Sequence, residues 1–280
     1  MKTVLLTLAT AAALAVLGAA LFVWSGVYDV SAVSPHLQPV YSTIERTMHQ
    51  SVRLRARDIE APAGLDTDAA RLQRGAACFR DKCEQCHGGP GVAPREMALA
   101  MQPLPGPLAD AARKWKAGEL YWITRHGIKM SGMPAWQHRL PDEDLWALVA
   151  FMRRLPDLSP HDYRELMAAQ EAAQDRRPCT GGAARIDPPD AARGRAALNQ
   201  NGCNGCHVIP GVTGAQVHVG PPLAGMGRRE LIAGTLPNTP AQMAHWILAP
   251  HAVDPETAMP ALSVSERDAH DIAAYLATLK

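Results

Sequence analysis

The sequence predicts an all-α protein, with an N-terminal transmembrane helix followed by two small helical domains of one design. Three observations predict it. An uncharged apolar run, Thr3–Trp24, heads the chain. The remainder contains an internal repeat whose two copies each close with an amphipathic helical pattern. Aromatic residues make up only 5% of the chain, with three Phe, while alanine is plentiful, which suits small helical domains completed by some other apolar object. The apolar fraction of 47% sustains buried cores and excludes wholesale disorder. A formal charge of +1 lacks the basic excess of a nucleic-acid binder, so no nucleic acid is expected as a partner.

As a helix, the 22 residues Thr3–Trp24 would rise about 33 Å, enough to cross a hydrocarbon core of roughly 30 Å. Lys2 precedes the run, and Trp24 and Tyr28 stand where an interfacial aromatic belt would lie. Residues 1–28 are therefore expected to be a single-pass anchor with its amino terminus in the cytoplasm and the remaining chain outside it. The competing reading is a cleaved signal peptide. Gly18-Ala19-Ala20 is a weak cleavage site, and Leu21-Phe22-Val23-Trp24 carries the apolar run past it. Residues 29–65 form a charged stalk in which Val40, Ile44, Met48 and Val52 make one helical stripe. That stripe either packs on its own domain or docks a membrane partner.

Two domains, 66–157 and 191–280, carry the repeat. The first reads Arg74-Gly75, Cys83-Glu84-Gln85-Cys86-His87, Pro90-Gly91, Gly106-Pro107-Leu108 and Met133-Pro134. The second reads Arg193-Gly194, Cys203-Asn204-Gly205-Cys206-His207, Pro210-Gly211, Gly220-Pro221-Pro222-Leu223 and Met259-Pro260. The closing helices are expected around Asp142–Arg154 and Glu266–Leu279, with Leu145, Leu148, Val149 and Met152 on one face of the former. Between the domains, 158–190 reads as a helix and linker. Ser159-Pro160 is a cap followed by a first-turn proline, and Arg176 to Pro189 is irregular.

C-x-x-C-H is the attachment signature of c-type haem. Two thiols three residues apart sit on one helical turn and can reach both vinyl groups of one porphyrin, and the next histidine is held beneath the iron. A bare C-x-x-C could be a redox dithiol or half of a zinc site. The adjoining histidine in both copies, the export signal and the downstream Met-Pro argue against both.

On these residues the chain resembles class I cytochrome c, doubled into a membrane-anchored dihaem c-type cytochrome, over about Leu72–Leu155 and Ala191–Lys280. The resemblance implies two covalently attached haem c groups, each wrapped by a small helical domain. It makes Cys83, Cys86, Cys203 and Cys206 the thioether positions and His87 and His207 the proximal ligands. Met133 and Met259, each stiffened by the following proline, become the distal ligands. Met130 is the close competitor in the first copy, and His218 or His251 would serve a bis-histidine second site. His36, His49, His126, His138, His245 and His270 read as surface or packing residues. Pro107, Leu108, Pro222 and Leu223 would pack on the proximal side, and Trp122, Trp136, Trp146, Phe151, Trp246 and Tyr275 are core or haem-wall residues.

Cys78 and Cys179 remain. In an oxidising compartment two spare thiols predict a disulfide, the alternative being two separate buried thiols. With both axial positions filled, neither a catalytic residue nor a small-molecule substrate is expected. The expected function is single-electron transfer in a respiratory chain, on the periplasmic face of a bacterial inner membrane, to or within a terminal haem–copper oxidase complex. A quinol-oxidising complex is a further candidate partner, and so is a periplasmic dehydrogenase whose electron-accepting subunit this would be. A dihaem peroxidase is the enzymatic alternative, distinguished by loss of one distal ligand.

Overall fold

The computed structural model describes residues 1–137, 139–172, 179 and 188–280. His138 and, apart from Cys179, Pro188 and Pro189, the stretch read as irregular from Arg176 to Pro189 lie outside the described residues. The chain forms two compact units, one of Met1–Ala135 with Glu143–Arg176, the other of Trp136–Asp142 with Arg177–Lys280. Both are helical. Among the described residues the only strands are β1 (Leu231–Ile232) and β2 (Leu236–Pro237), a short antiparallel pair in the second unit.

The first unit begins with α1 (Lys2–Ser25), which ends at Gly26 in the left-handed conformation. None of its 24 residues is buried, and it is long and apolar enough to cross a membrane. It fits a membrane-anchored protein. Helix α2 (Gln38–Ala56) starts on a first-turn proline, Pro39. Its apolar stripe is fully buried near its C-terminal end, at Val52 and Ala56, and His49 lies 4.3 Å from the Trp115 ring, whereas Ile44 is exposed.

The domain proper starts with α3 (Ala69–Lys82), capped by Asp68, which accepts the Arg71 N–H at 3.1 Å. There follow α4 (Glu84–His87), α5 (Glu96–Leu99), α6 (Leu108–Lys114), α7 (Ala117–His126) and α8 (Asp142–Arg154). Helices α3 and α8 cross so closely that a Cβ on Gly75 would overlap the Ala147 carbonyl oxygen. Beside the crossing, Arg74 donates two hydrogen bonds of 2.6 Å to the buried carboxylate of Asp144. Leu145, Leu148, Val149 and Met152 are all buried, and Phe79 meets Phe151 with ring centroids 5.2 Å apart. Helix α9 (Pro160–Ala172) begins as the Ser159-Pro160 pair implies. The Ser159 hydroxyl accepts the Asp162 N–H at 3.1 Å and donates to its carboxylate at 2.7 Å.

The second unit repeats this plan with α10 (Ala191–Gln200), α11 (Pro240–Leu248), α12 (Pro250–Val253) and α13 (Glu266–Thr278). Asp190, Thr239 and Ser265 cap α10, α11 and α13 through their side chains. A Cβ on Gly194 would overlap the Asp271 carbonyl oxygen, so α10 and α13 cross as α3 and α8 do. The clamp has moved by one turn. Asp271 stands at the crossing like Ala147, yet it is Asp271 that takes two 2.8 Å bonds from Arg193. Asp268, the counterpart of Asp144, instead accepts from Arg139 at 2.9 Å, and Asn201 accepts from the other guanidinium nitrogen at 2.9 Å. Cys78 and Cys179 are both buried and both disulfide-bonded.

Candidate metal centres

The first attachment motif continues the helical path out of α3, whereas left-handed Gly202 breaks that path between α10 and the second. In the first copy the Cys83 N–H still donates to Phe79 at 2.8 Å, and His87 N–H donates to the Cys83 carbonyl at 2.9 Å. In the second, a 3₁₀ turn at Cys203–Gly205 ends with His207 N–H donating to the Cys203 carbonyl at 3.0 Å. Both motifs therefore fold into one turn closed from the histidine to the first cysteine. All four motif cysteines are free thiols in the bare chain.

The histidines are held alike. His87 Nδ1 lies 2.7 Å from the Gly106 carbonyl oxygen, and His207 Nδ1 lies 2.8 Å from that of Pro221. A carbonyl only accepts, so Nδ1 carries the proton and the Nε2 lone pair is left for a metal. Burial lowers the His87 pKa, against the opposing effect of the Gly106 bond, which favours the neutral ligating form. The two acceptors are the residues immediately before Pro107-Leu108 and Pro222-Leu223. A landmark assigned only to proximal packing thus also carries the orienting carbonyl. Gly220 leaves room for the His207 ring, since a Cβ there would lie 2.5 Å from Cε1.

The Met-Pro loops share a device that sequence reading missed. Met133 N–H donates to the Ser131 hydroxyl at 3.2 Å, and Met259 N–H donates to the Thr257 hydroxyl at 3.3 Å. A Ser or Thr two residues before each Met-Pro pair was the available signal. The Met133 carbonyl also accepts the Ile128 N–H at 3.2 Å. Met133 and Met259 are half-buried, whereas Met130 sits at φ 61° with 92% of its surface exposed. Met226 and Met243 are buried core residues of the second unit. His218 and His251 are exposed, and His126 Nδ1 donates to the Trp122 carbonyl at 3.0 Å.

Burial pushes the Cys83 thiol up to about 12 and the Cys203 thiol up to about 11. Thiolates are the nucleophiles, so burial makes both of these poor ones until attachment, and Cys83 is also the less accessible member of its pair. In chain made without cofactor, iodoacetamide at neutral pH is expected to modify Cys86 before Cys83. Peptide mapping showing Cys83 modified first would contradict this.

The residue types of each copy, an imidazole nitrogen with two thiols just before it in the chain and a methionine thioether further along, fit covalently attached haem c. Residues 70–152 match the family model for cytochrome c oxidase, cbb3-type, subunit III, and residues 191–280 match that for cytochrome c. The chain therefore carries two cytochrome c-type domains in tandem, which imply covalently bound haem c and support an electron-transfer cytochrome. Among curated proteins, the chain is similar to cytochrome c oxidase subunit 2 of Alkalihalophilus pseudofirmus, 36% identical over 104 residues. That match covers 36% of this chain and 30% of the relative's length, so the chain spans under a third of it. No solved structure matches the chain.

Proposed function

We propose that this protein is a membrane-anchored dihaem cytochrome c, facing the periplasm, that passes single electrons to or within a terminal haem–copper oxidase complex. The observation that carries the reading is the doubled ligand frame. Each copy sets a Cys-x-x-Cys-His turn with its imidazole proton committed to a backbone carbonyl, together with a methionine loop whose amide is tied to a hydroxyl.

In this reading Cys83, Cys86, Cys203 and Cys206 hold the cofactors as thioethers. His87 and His207 are the proximal ligands, and Met133 and Met259 the distal ones. Haem c so ligated supplies a one-electron iron couple whose potential a His/Met pair raises. The chain's residues do the rest. The Gly106 and Pro221 carbonyls fix each imidazole tautomer and ring direction, and Ser131 and Thr257 fix the methionine loops. A methionine ligand in both copies, Met133 and Met259, would favour a carrier over a peroxidase, which would need one of them lost.

Lys2 ahead of α1 supports an outward-facing body. The disulfide-bonded Cys78 and Cys179 support an oxidising compartment for it. The similarity of residues 70–152 to a cbb3-type oxidase subunit and of the chain to an oxidase subunit 2 supports an oxidase as partner.

The test is mild detergent extraction of the native membrane protein. Alkaline pyridine spectra are expected to give two haem c per chain, falling to one in Cys206→Ser, with oxidase core subunits co-purifying. One haem per native chain would overturn the dihaem reading. A co-purifying dehydrogenase would reassign the partner.

A further inference from the structure

The two sites differ in how a phenol meets the attachment turn. In the second copy, Tyr275 on α13 donates its hydroxyl to the Pro210 carbonyl at 2.6 Å, and Gly211, at φ 74°, leaves room for that hydroxyl. The residue four beyond the helix crossing is Tyr275 there and Phe151 in the first copy, and Phe151 has no hydroxyl to give. The first copy gains a phenol from outside the repeat. Tyr163, the fourth residue of α9, is completely buried and packs edge-on to Phe79. Its ring occupies the space a Cβ on Gly89 would need, and Pro160 lies against Gly91 in the same turn.

The bond it makes is of a different kind. Tyr163 donates to Glu84 Oε1 at 3.1 Å, and Glu84 stands between the two attachment cysteines of the first motif. The second motif has Asn204 at that place, a neutral side chain that donates to Asn199 Oδ1 at 2.9 Å and to the Thr213 carbonyl at 3.1 Å. So one site carries a carboxylate held by a buried phenol inside its attachment turn, and the other carries an amide. Burial, with the Glu84 carboxylate adding to it, pushes the Tyr163 phenol far above the usual range, so it remains a donor.

We infer that α9 is a dedicated cover for the first attachment turn, and that Tyr163 is a positioning residue which holds the Glu84 carboxylate in place and so sets the first site's reduction potential apart from the second's. A fixed negative charge beside a haem stabilises its ferric state. A hydrogen bond donated to that charge spreads it and moderates the effect. This rests on the dihaem reading.

The test is a spectroscopic redox titration of the full-length haem-loaded protein and three variants. Glu84→Gln removes the charge and is expected to raise one of the two components. At a fixed poise the shift is about three- to tenfold in its reduced-to-oxidised ratio, or about 30–60 mV at 59 mV per decade for one electron. Tyr163→Phe leaves the charge without its donor and is expected to lower that same component. In the Glu84→Gln background, Tyr163→Phe is expected to do nothing further. A Tyr163 that merely packs would shift the potential whatever stands at position 84. Tyr275→Phe, whose bond goes to a backbone carbonyl, is expected to leave the Glu84-sensitive component where it is. The inference is overturned if Glu84→Gln moves neither component, if both move together, or if the Tyr163→Phe shift survives in Glu84→Gln. A preparation without two c-type components would instead overturn the functional reading beneath it.

Discussion

Gly194→Ala is expected to destabilise the second unit by about 3 kcal/mol or more, close to two decades in its folding equilibrium. The added methyl would overlap the Asp271 carbonyl oxygen, with the Asp271 carbonyl carbon and the Ile272 nitrogen also within reach. These are backbone atoms of a helix and cannot turn aside as a side chain could. Relief requires α10 and α13 to separate. Separation would stretch the two Arg193–Asp271 bonds and open the core around Leu198, Ile272 and Leu276. The Asp271 carboxylate is buried, so drawing Arg193 away leaves it uncompensated, and the two losses compound. Domains of this size are stable by only about 5–15 kcal/mol in all. Gly75→Ala is expected to do the same to the first unit through Ala147. Gly18→Ala, outside both domains and with nothing near its added methyl, is the control. Urea unfolding of the haem-loaded protein followed by circular dichroism checks all three. A Gly194→Ala midpoint equal to wild type would show that the crossing is not tight.

Met133→Leu is expected to lower the potential of one component by a sizeable part of the roughly 0.8 V span that axial ligands command. Leucine conserves much of the volume and the apolar character, so the domain keeps its packing while losing the thioether sulfur. Met130→Leu is expected to leave both components unmoved. Its side chain is 92% exposed at a positive-φ position, while Met133 is half-buried and held from both sides by Ser131 and Ile128. Redox titration of the two variants separates the candidates that sequence spacing alone leaves three residues apart. If Met130→Leu lowers a component and Met133→Leu does not, the ligand assignment is reversed.

The sequence by itself determined the class of fold, the positions of both Cys-x-x-Cys-His turns, the Met-Pro pairs and the closing helices, because these are local facts. A motif of five residues needs only its own turn, and the 3.6-residue period of α8 and α13 is set by which residues must face a core. The Arg74-Gly75 and Arg193-Gly194 landmarks were visible as a repeat, but their purpose was not. Only the tertiary structure brings a carbonyl of α8 or α13 against each glycine and a carboxylate against each arginine. The displacement of the second clamp from the Asp144 position to Asp271 has no local signature.

The same holds for the sites. Pro-Leu after the motif was legible as packing, whereas the orienting carbonyls of Gly106 and Pro221 are backbone groups, and sequence does not distinguish one carbonyl from another. Nothing in the helix expected after Ser159-Pro160 marks Tyr163 as part of a site. It became part of the first site because α9 folds back over a turn some 79 residues earlier in the chain, at Glu84. Long-range closure of that kind depends on which surfaces fit and which buried polar groups find partners, and neither is written in any window of neighbouring residues.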